Sequence, residues 1–438
     1  MRVRAVDLFC GVGGMGCGLR RAGFRLVASY DSNPRALKVH NANLKAAPFG
    51  KLFPDNRPAD LGDLLALAPR IAELQPDIIV GGPPCQDFSA VGKRIEGQRA
   101  GLTVAFAVIV ATARPAWFLI ENVRQAYPSK SYARARAILA RSGYGFTEVL
   151  LDASLFGVPQ KRKRFFSIGR LGEQDGFLFS ALNDAEAKRP MTIRDALGGD
   201  VGVHPGGDHP PHVRAFFLRP YSEKRGVRSI DDPAPTLLRS AHEAVAPSYR
   251  PHKADLGPAE RIPKLPWSAL SRLHGFPPDW DWLDTRKSRE RMLMIANAVP
   301  PPLAEAIGRV IMAREKGESI PAIEEDYGRW LIKQEGLQGP ALRNRRSALN
   351  RARRLLGGRA LADIDAELAL LERAPSFAAL ATGAKSDIRA ALRSHATWRA
   401  SRVPPPLEVH LPAPQPTRRA FGPRPVPPAE APVETAPI

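Results

Sequence analysis

The chain has 438 residues, 44% of them hydrophobic, and a formal net charge of +20 at pH 7. This length indicates two or three domains, and the excess of Lys and Arg favours a polyanionic partner, nucleic acid before membrane. The longest apolar run, Thr103–Ala113, is too short to span a bilayer, and three cysteines without a CxxC pair or a His cluster argue against a disulfide framework and a zinc site and for a reducing cytoplasm.

The first predicted strand, Arg2–Leu8, runs into the glycine-rich loop Phe9–Gly16, which opens a helix. Gly11, Gly13 and Gly16 match the GxGxxG pattern, in which bare backbone lets a cofactor approach a strand-to-helix turn closely. The pattern alone has low specificity, so it also admits a nicotinamide or flavin cofactor.

Two acidic residues follow at positions that suit an adenosine cofactor. Asp31 ends the predicted strand Arg25–Tyr30, about twenty residues after Gly11, where a carboxylate binds ribose hydroxyls. Asp60 ends a polar stretch for which a third strand is one interpretation, and it can accept a hydrogen bond from an adenine amino group. Capping of the next helix explains each acid equally well, and for Asp60 that helix is Leu64–Leu74.

The most informative stretch is Gly81–Ser89, a loop stiffened by two prolines that presents Cys85. It follows the apolar run Asp77–Val80, which predicts a buried strand, so Cys85 comes at the strand's carboxyl end, where open parallel sheets bind ligands. A buried cysteine on an ordinary loop is the alternative. The strand Ala116–Ile120 ends in Glu121 on the same sheet edge, where we expect partial desolvation to raise the pKa of the carboxyl and suit it to proton donation.

The segment Gln160–Phe166 alternates its side chains before an apolar end. A period of two places Gln160, Arg162 and Arg164 on one face of a strand. A solvated charge run is the alternative, but continuation into Phe165–Ile168 favours a half-buried strand. The helix Tyr132–Arg141 and the strand Gly145–Leu151, which precede this segment, complete the pattern of a doubly wound α/β fold.

The composition of the chain changes after this fold. Residues from about Arg170 to Pro235 are rich in Gly, Pro and His and predict short strands and a small domain of their own. Residues 315–402 are helical and basic, with fourteen Lys or Arg against six Asp or Glu between Trp330 and Val403. Such a segment can follow phosphates, and a solvated helix face is the ordinary alternative. Twelve prolines in the last 36 residues predict a disordered tail over 403–438.

Six motifs, in their order along the chain, resemble those of a DNA (cytosine-5) methyltransferase over about residues 1–312. They are Asp7–Gly14, Gly82–Gln86, Glu121–Val123, Gln160–Arg164, Arg272–Pro277 and Ala296–Pro300. The resemblance implies a Rossmann-like, S-adenosylmethionine-dependent methyltransferase fold, with a catalytic domain at 1–169 and 262–314 and a small target-recognition region at 170–261. Residues 315–402 would then be a basic helical accessory module, and 403–438 a disordered Pro-rich tail.

The resemblance also implies roles for four residues in the reaction. Cys85 matches the thiolate that attacks C6 of the cytosine and so makes C5 nucleophilic. Glu121 matches the acid that pairs with the N3 and amino edge of the base. Arg164, with Arg162, matches the strand that holds O2 of the base and supports Glu121. Because C6 is unreachable inside a duplex, the base must flip out, at a cost of about a few kcal/mol.

For the cofactor, S-adenosyl-L-methionine, the resemblance indicates nine positions. They are Phe9, Gly11, Gly14, Asp31, Asp60, Leu61, Pro84, Leu102 and Asn297. Three residues depart from the family pattern: Ser32 replaces an aromatic residue that packs on adenine in many relatives, His274 replaces a Gln, and Ala296 replaces a Gly. None of them is a catalytic group, so activity is expected, with a looser adenine pocket. The local sequence makes His274 a structural residue at a helix end.

Double-stranded DNA is the expected partner, a restriction endonuclease is a further one, and neither a membrane nor a metal is expected. We expect a monomer that acts in the cytoplasm of a bacterium or of a phage host. Three other functions compete: methylation of RNA by the same fold, DNA binding without catalysis, and nicotinamide-dependent redox chemistry. A DNA-type recognition region argues against the first, and intact Cys85, Glu121 and Arg164 argue against the second. The third leaves the cysteine loop and the positive charge unexplained.

Overall fold

The computed structural model describes residues 3–44, 58–84, 101–198, 215–220, 225–247, 249–262, 264–283 and 288–402. Cys85 and the predicted tail 403–438 lie outside these residues. Within the described ranges, no helix has the length and apolar character needed to cross a membrane.

A six-stranded sheet in the order β2-β1-β3-β4-β7-β5 forms the centre of the protein. The strands of the described chain are β1 (Arg4–Leu8), β2 (Arg25–Tyr30), β3 (Ile78–Gly81), β4 (Trp117–Asn122), β5 (Tyr144–Asp152), β6 (Gln160–Lys161), β7 (Lys163–Leu171), β8 (Ala215–Phe217), β9 (Val227–Ser229) and β10 (Ala234–Pro235). β1 pairs in parallel with β2 and β3, and β3 with β4, whereas β7 runs antiparallel to β4 and β5. The order reverses between β1 and β3, and doubly wound sheets bind ligands at such a switch point.

Helices cover both faces of this sheet. The α-helices of the described chain are α1 (Gly14–Arg21), α2 (Pro34–Asn43), α3 (Leu64–Glu73), α4 (Gly101–Ala113), α5 (Lys130–Arg141), α6 (Phe179–Asp184), α7 (Ile193–Leu197), α8 (Trp267–Leu273), α9 (Ser288–Asn297), α10 (Pro301–Glu315), α11 (Glu325–Gln334), α12 (Gly339–Leu355), α13 (Ile364–Glu372), α14 (Pro375–Ala378) and α15 (Thr382–Ala400). Alternate residues of β1 enter different apolar cores, as the period of a strand requires. Ala5 packs in the core that contains α1 and α10, and Val6 packs with α3, α4 and α5.

The predicted α/β fold is confirmed, and the predicted β2 agrees with the structure to the residue. β4 is longer than predicted and contains Glu121 itself. The third strand considered at Asp60 does not form, because the backbone before it makes only an isolated bridge between Pro58 and Asp31. The third strand in chain order is therefore the one that leads to the cysteine loop.

The stretch between β7 and α8 has short strands, as its composition predicts. β6 pairs with β10, and β8 pairs with β9. Ala215, Phe217 and Val227 form a small apolar cluster of their own, but Phe216 and Ile230 belong to the main core. The change in composition near residue 170 therefore does not coincide with a break in the core.

Helices α11–α15 form a separate apolar core around Tyr327, Leu349, Leu392 and Trp398. This confirms the helical prediction for the segment, which we call the C-terminal module (residues 325–400). The module contacts the end of β7, where Glu173 bridges to Leu361.

Candidate functional site

An ion pair between Glu121 and Arg164 lies at the end of β4. Antiparallel pairing of β4 with β7 sets the two side chains together, and Arg164 Nε lies 3.2 Å from Glu121 Oε1. The Glu121 side chain is only 11% exposed, and that of Arg164 only 15%. Burial raises the pKa of Glu121, and the positive charges of Arg164 and then Arg162 partly offset this increase. The pair thus combines a carboxyl that holds a proton more readily than usual with a cationic hydrogen-bond donor.

The residues before Cys85 pass directly over this carboxyl group. β3 pairs with β4 up to Gly81, and the Asn122 side-chain amide donates to the Pro83 carbonyl at 3.2 Å. A Cβ atom on Gly82 would lie 3.1 Å from Glu121 Oε2, so glycine permits this close approach. The predicted nucleophile loop therefore begins beside Glu121, in agreement with the shared sheet edge expected from the sequence.

Arg162 makes contacts different from those of Arg164. Its buried guanidinium donates through Nη2 to the carbonyls of Ala296 (2.8 Å) and Ala298 (3.1 Å), which flank Asn297. Burial alternates here as predicted, since Arg162 is buried and Lys163 is exposed, but the predicted single strand is interrupted at Arg162, between β6 and β7. The structure thus brings Arg164 to Glu121 and uses Arg162 to hold the Asn297 turn.

A buried chain of hydrogen bonds reaches the same turn from α8. His274, which ends α8, has Nε2 2.9 Å from the Ala298 carbonyl and Nδ1 3.2 Å from Gln160 Nε2. Gln160 Oε1 accepts from the Leu237 amide at 3.1 Å. These directions require a neutral imidazole protonated on Nε2, and burial lowers the pKa of His274 well below its ordinary value. His274 is structural, as predicted, and its partners link Leu237, in the stretch between β7 and α8, to the Asn297 turn.

Asp31 braces the first glycine loop. Its Oδ2 accepts from the Gly11 amide at 2.8 Å and its Oδ1 from the Asn33 amide at 2.7 Å. The cap of α2 is Asn33, whose side chain accepts from Arg35 and Ala36. The helix-cap alternative for Asp31 is therefore wrong, and the acid remains at the carboxyl end of β2, facing the loop after β1.

Asp60 is not a helix cap either. Its Oδ1 accepts from the Gly62 amide at 2.9 Å, and the cap of α3 is Asp63. A Cβ on Gly62 would lie 3.8 Å from Leu102, which shares an apolar cluster with Phe9 and Leu61. Three of the predicted cofactor positions thus belong to one apolar cluster near Asp60: Phe9 and Leu102 are half-buried, and Leu61 is buried.

Gly14 and Asn297 come from distant parts of the chain and lie close together. A Cβ on Gly14 would lie 2.2 Å from the Val299 carbonyl, so only glycine permits this contact between α1 and the turn after α9. Asn297 is exposed at the end of α9. Gly11 has a φ of +53°, and the space beside it is open. An open glycine cradle, a braced acid and an apolar wall suit an adenosine-containing cofactor, so these residues fit S-adenosylmethionine.

No cluster of three His, Cys, Asp or Glu side chains able to hold a metal ion occurs among the described residues. The site joins a carboxyl–guanidinium pair to a glycine cradle across the switch point between β1 and β3. Sequence reasoning identified the residues of both parts. Sequence reasoning did not find the backbone carbonyls to which Arg162 and His274 donate, because every residue type has a backbone carbonyl and the sequence does not show which ones accept.

Comparison with known proteins agrees with this site. The family model "C-5 cytosine-specific DNA methylase" matches residues 3–205 and 217–313. The Type II methyltransferase M.HgiDI of Herpetosiphon aurantiacus is 38% identical over 69% of this chain and 92% of its own length. M.HindV of Haemophilus influenzae, also a Type II methyltransferase, is 35% identical over 72% of this chain and 98% of its own. The fold is similar to that of the S. pombe Dnmt2 methyltransferase, with a TM-score of 0.53 and 17% identity over 71% of this chain and 97% of that one.

Proposed function

The chain belongs to the C-5 cytosine-specific DNA methylase family, and we propose that it methylates C5 of a cytosine flipped out of a short duplex site, with Cys85 as the nucleophile. The enzyme is thus a DNA (cytosine-5) methyltransferase that uses S-adenosylmethionine. The observation that supports the assignment of its residues is the buried Glu121–Arg164 pair beside the loop that leads to Cys85.

In the proposed reaction, the Cys85 thiolate forms a bond to C6, and the electrons of the C5–C6 double bond move toward N3 and O2. Glu121 gives its proton to N3, and Arg164 stabilises the negative charge that develops at O2. When bound, S-adenosylmethionine supplies the methyl group as an electrophile to C5. Loss of the C5 proton to a base then expels the Cys85 thiolate, and the N3 proton returns to Glu121.

The raised pKa of Glu121 supports this role. A proton donor works best when its pKa approaches the working pH, and burial moves the pKa of this carboxyl in that direction. Arg164 keeps the carboxyl oriented toward the place where N3 of a flipped base would lie. Glu121 and Arg164 are therefore the groups that activate the base for attack by Cys85.

The cofactor would be held by the glycine loop after β1 and by two acids: Asp31, which follows β2, and Asp60, which follows the bridge at Pro58. Asp31 suits the ribose hydroxyls and Asp60 the adenine amino group, while Phe9, Leu61 and Leu102 suit the adenine ring. Gly11, Gly14, Pro84 and Asn297 would border the rest of the cofactor. Arg162 acts here as a positioning residue, because its guanidinium holds the carbonyls on both sides of Asn297.

The test is expression in a methylation-free bacterial host, followed by bisulfite sequencing of its DNA. Methylated cytosines confined to one short motif are expected. A second assay incubates purified enzyme with duplex DNA that carries 5-fluorocytosine in that motif, which traps the covalent adduct. Unmodified DNA from well-folded protein would refute the assignment, and methylation of transfer RNA in its place would move the reaction to RNA.

The biological setting is proposed from the relatives. Both are Type II methyltransferases, which supports a restriction-modification setting with an endonuclease of the same specificity as the partner. We place the enzyme in the cytoplasm, where its DNA substrate lies, and expect it to act as a monomer. Size-exclusion chromatography with light scattering tests the oligomeric state.

A further inference from the structure

The arginines of α12 divide into two sets. The helix contains six arginines and neither Asp nor Glu. Two of the six belong to the fold of the C-terminal module. Arg353 is buried and donates to two backbone carbonyls at 2.7 and 2.9 Å, and Arg345 pairs with Glu335 at 3.1 Å.

The other four arginines lie at the surface of α12. They are Arg343, Arg346, Arg351 and Arg354, and we call them the arginine face. At 100° per residue they fall within an arc of about 140° and extend about 16 Å along the axis. Arg343, Arg351 and Arg354 are exposed and Arg346 is half-buried. Within the part of the chain that the structure describes, none of the four forms an ion pair with an acidic side chain.

The position of this face is fixed by a buried anchor at the end of α12. Glu173, with a fully buried side chain, accepts from the Ala360 amide at 3.0 Å and from Arg359 at 3.3 Å. Arg314 of α10, also buried, donates to the Gly358 carbonyl at 2.6 Å. The chain that follows α12 is thereby bonded to the end of β7 and to α10, so the module has a defined place on the enzyme.

That place is at the end of the sheet opposite the candidate catalytic pair. β7 is antiparallel to β4, so Arg170 pairs with Trp117 at the start of β4, and Glu121 lies near its other end. Four residue steps along β4 separate the two positions, which is about 13 Å at the rise of a strand. A short duplex centred on the flipped base would therefore lie at the other end of the strands from the module's anchor.

We propose that the arginine face is a second docking surface for duplex DNA, one that binds phosphates outside the methylation site. The proposal rests on the proposed function only in taking DNA as the enzyme's substrate. Arginine is suited to phosphate because its planar fork donates two hydrogen bonds at once. The like-charged face, with no acid on its own helix, complements a polyanion. Its effect is to hold the enzyme on long DNA, with no part in the chemistry.

The test compares full-length wild type with a triple variant, Arg343→Gln/Arg351→Gln/Arg354→Gln. Affinity is measured by fluorescence anisotropy on a duplex of about 60 base pairs without the site, over a range of salt concentrations. Each lost phosphate contact lowers the slope of log K against log[salt] by about 0.9, so the triple variant should lose about 2 to 3 units. On a duplex of about 14 base pairs with the site, kcat/KM should stay within about twofold of wild type.

A matched variant, Lys333→Gln/Arg373→Gln/Arg393→Gln, removes the same charge from exposed positions elsewhere in the module. An equal loss of affinity in this control would show a general charge effect and overturn the proposal. Equal loss of kcat/KM on the short duplex by the arginine-face variant would place the face in the catalytic cleft and overturn it as well. The single variant Arg351→Gln, with an expected slope change of about 0.9, keeps the test decisive if the triple variant unfolds.

The two proposals fail separately in these assays. If wild type binds the long duplex with the predicted salt slope but methylates nothing, the proposed reaction is wrong and the docking surface stands. If methylation occurs and the arginine-face variant binds long DNA like wild type, the docking surface is wrong and the reaction stands.

Discussion

Replacing Arg164 by Met tests the Glu121–Arg164 pair. The variant keeps the volume of the side-chain stem but removes the charge 3.2 Å from the Glu121 carboxyl. Arg164 stabilises the carboxylate and so lowers the pKa of Glu121, whereas burial raises it. Without Arg164 the effect of burial is opposed only by Arg162, and the pKa of Glu121 rises further.

The size of the effect follows from the geometry. An opposite charge at this distance lowers a carboxyl pKa by about 1–3 units, and partial exposure favours the lower half of that range. If protonated Glu121 is the active form, kcat falls as pH rises through its pKa. The falling limb should therefore move up by about 1–2 pH units in the variant, and each unit corresponds to about 1.4 kcal/mol. Loss of the donor at O2 should also lower maximal kcat by about 10²-fold.

The assay is tritiated methyl transfer to a site-containing duplex at saturating cofactor, from pH 5.5 to pH 9.5. Arg162→Met is the matched control, because this arginine contacts the Asn297 turn instead of Glu121. We expect it to raise the KM for S-adenosylmethionine about tenfold, which corresponds to about 1.4 kcal/mol of cofactor binding, with a smaller shift of the pH limb. An unmoved limb in Arg164→Met, or the same limb in both variants, would refute the assigned role of Glu121.

Three further predictions concern the loop, its support and a buried acid. Cys85→Ala should abolish methyl transfer and adduct formation while Kd for DNA stays within about threefold; undiminished turnover would exclude the covalent mechanism. Asn122→Ala removes the hydrogen bond to the Pro83 carbonyl. It should lower kcat about tenfold and reduce the free energy of unfolding by about 1 kcal/mol; an unchanged kcat would mean that the loop does not need this hydrogen bond. Burial and the nearby Asp31 raise the pKa of Asp7 from 3.8 to about 8. Between about pH 4 and pH 8 the folded protein therefore holds a proton on Asp7 that the unfolded chain has released, so the contribution of Asp7 to the free energy of unfolding falls as pH rises. Asp7→Asn should remove this pH dependence from urea unfolding; a dependence equal to that of wild type would contradict the assignment.

The sheet and the edge of the site were predictable because their signals are local. Apolar runs that end in glycine loops or acids mark the carboxyl ends of β1, β3 and β4, and parallel pairing then brings those ends together. Glu121 and the start of the cysteine loop are adjacent for this reason. The helix-cap reading of Asp31 and Asp60 failed because Asn33 and Asp63 stand nearer to the helices they cap.

The partners of Arg162 and Arg164 were not predictable from their shared strand face. The chain passes from β6, which pairs with β10, to β7, which pairs with β4, and Arg162 lies between the two strands. Alternation of side chains gives a face but not the elements opposite it. His274 reaches Ala298 across 24 residues, and Arg359 reaches Glu173 across 186. Contacts at such separation depend on the whole topology.

The contacts of Glu173 bear on whether this enzyme can be truncated before the C-terminal module. The family match ends at residue 313, yet two of the groups that hold Glu173, Arg359 and the Ala360 amide, come after it. A chain cut at the end of the match would lose these two partners and keep Arg170, whose Nη1 lies 3.2 Å from Glu173 Oε1. The C-terminal module is therefore bonded to the end of β7, and we expect a chain cut at residue 313 to unfold at a lower denaturant concentration than the full chain.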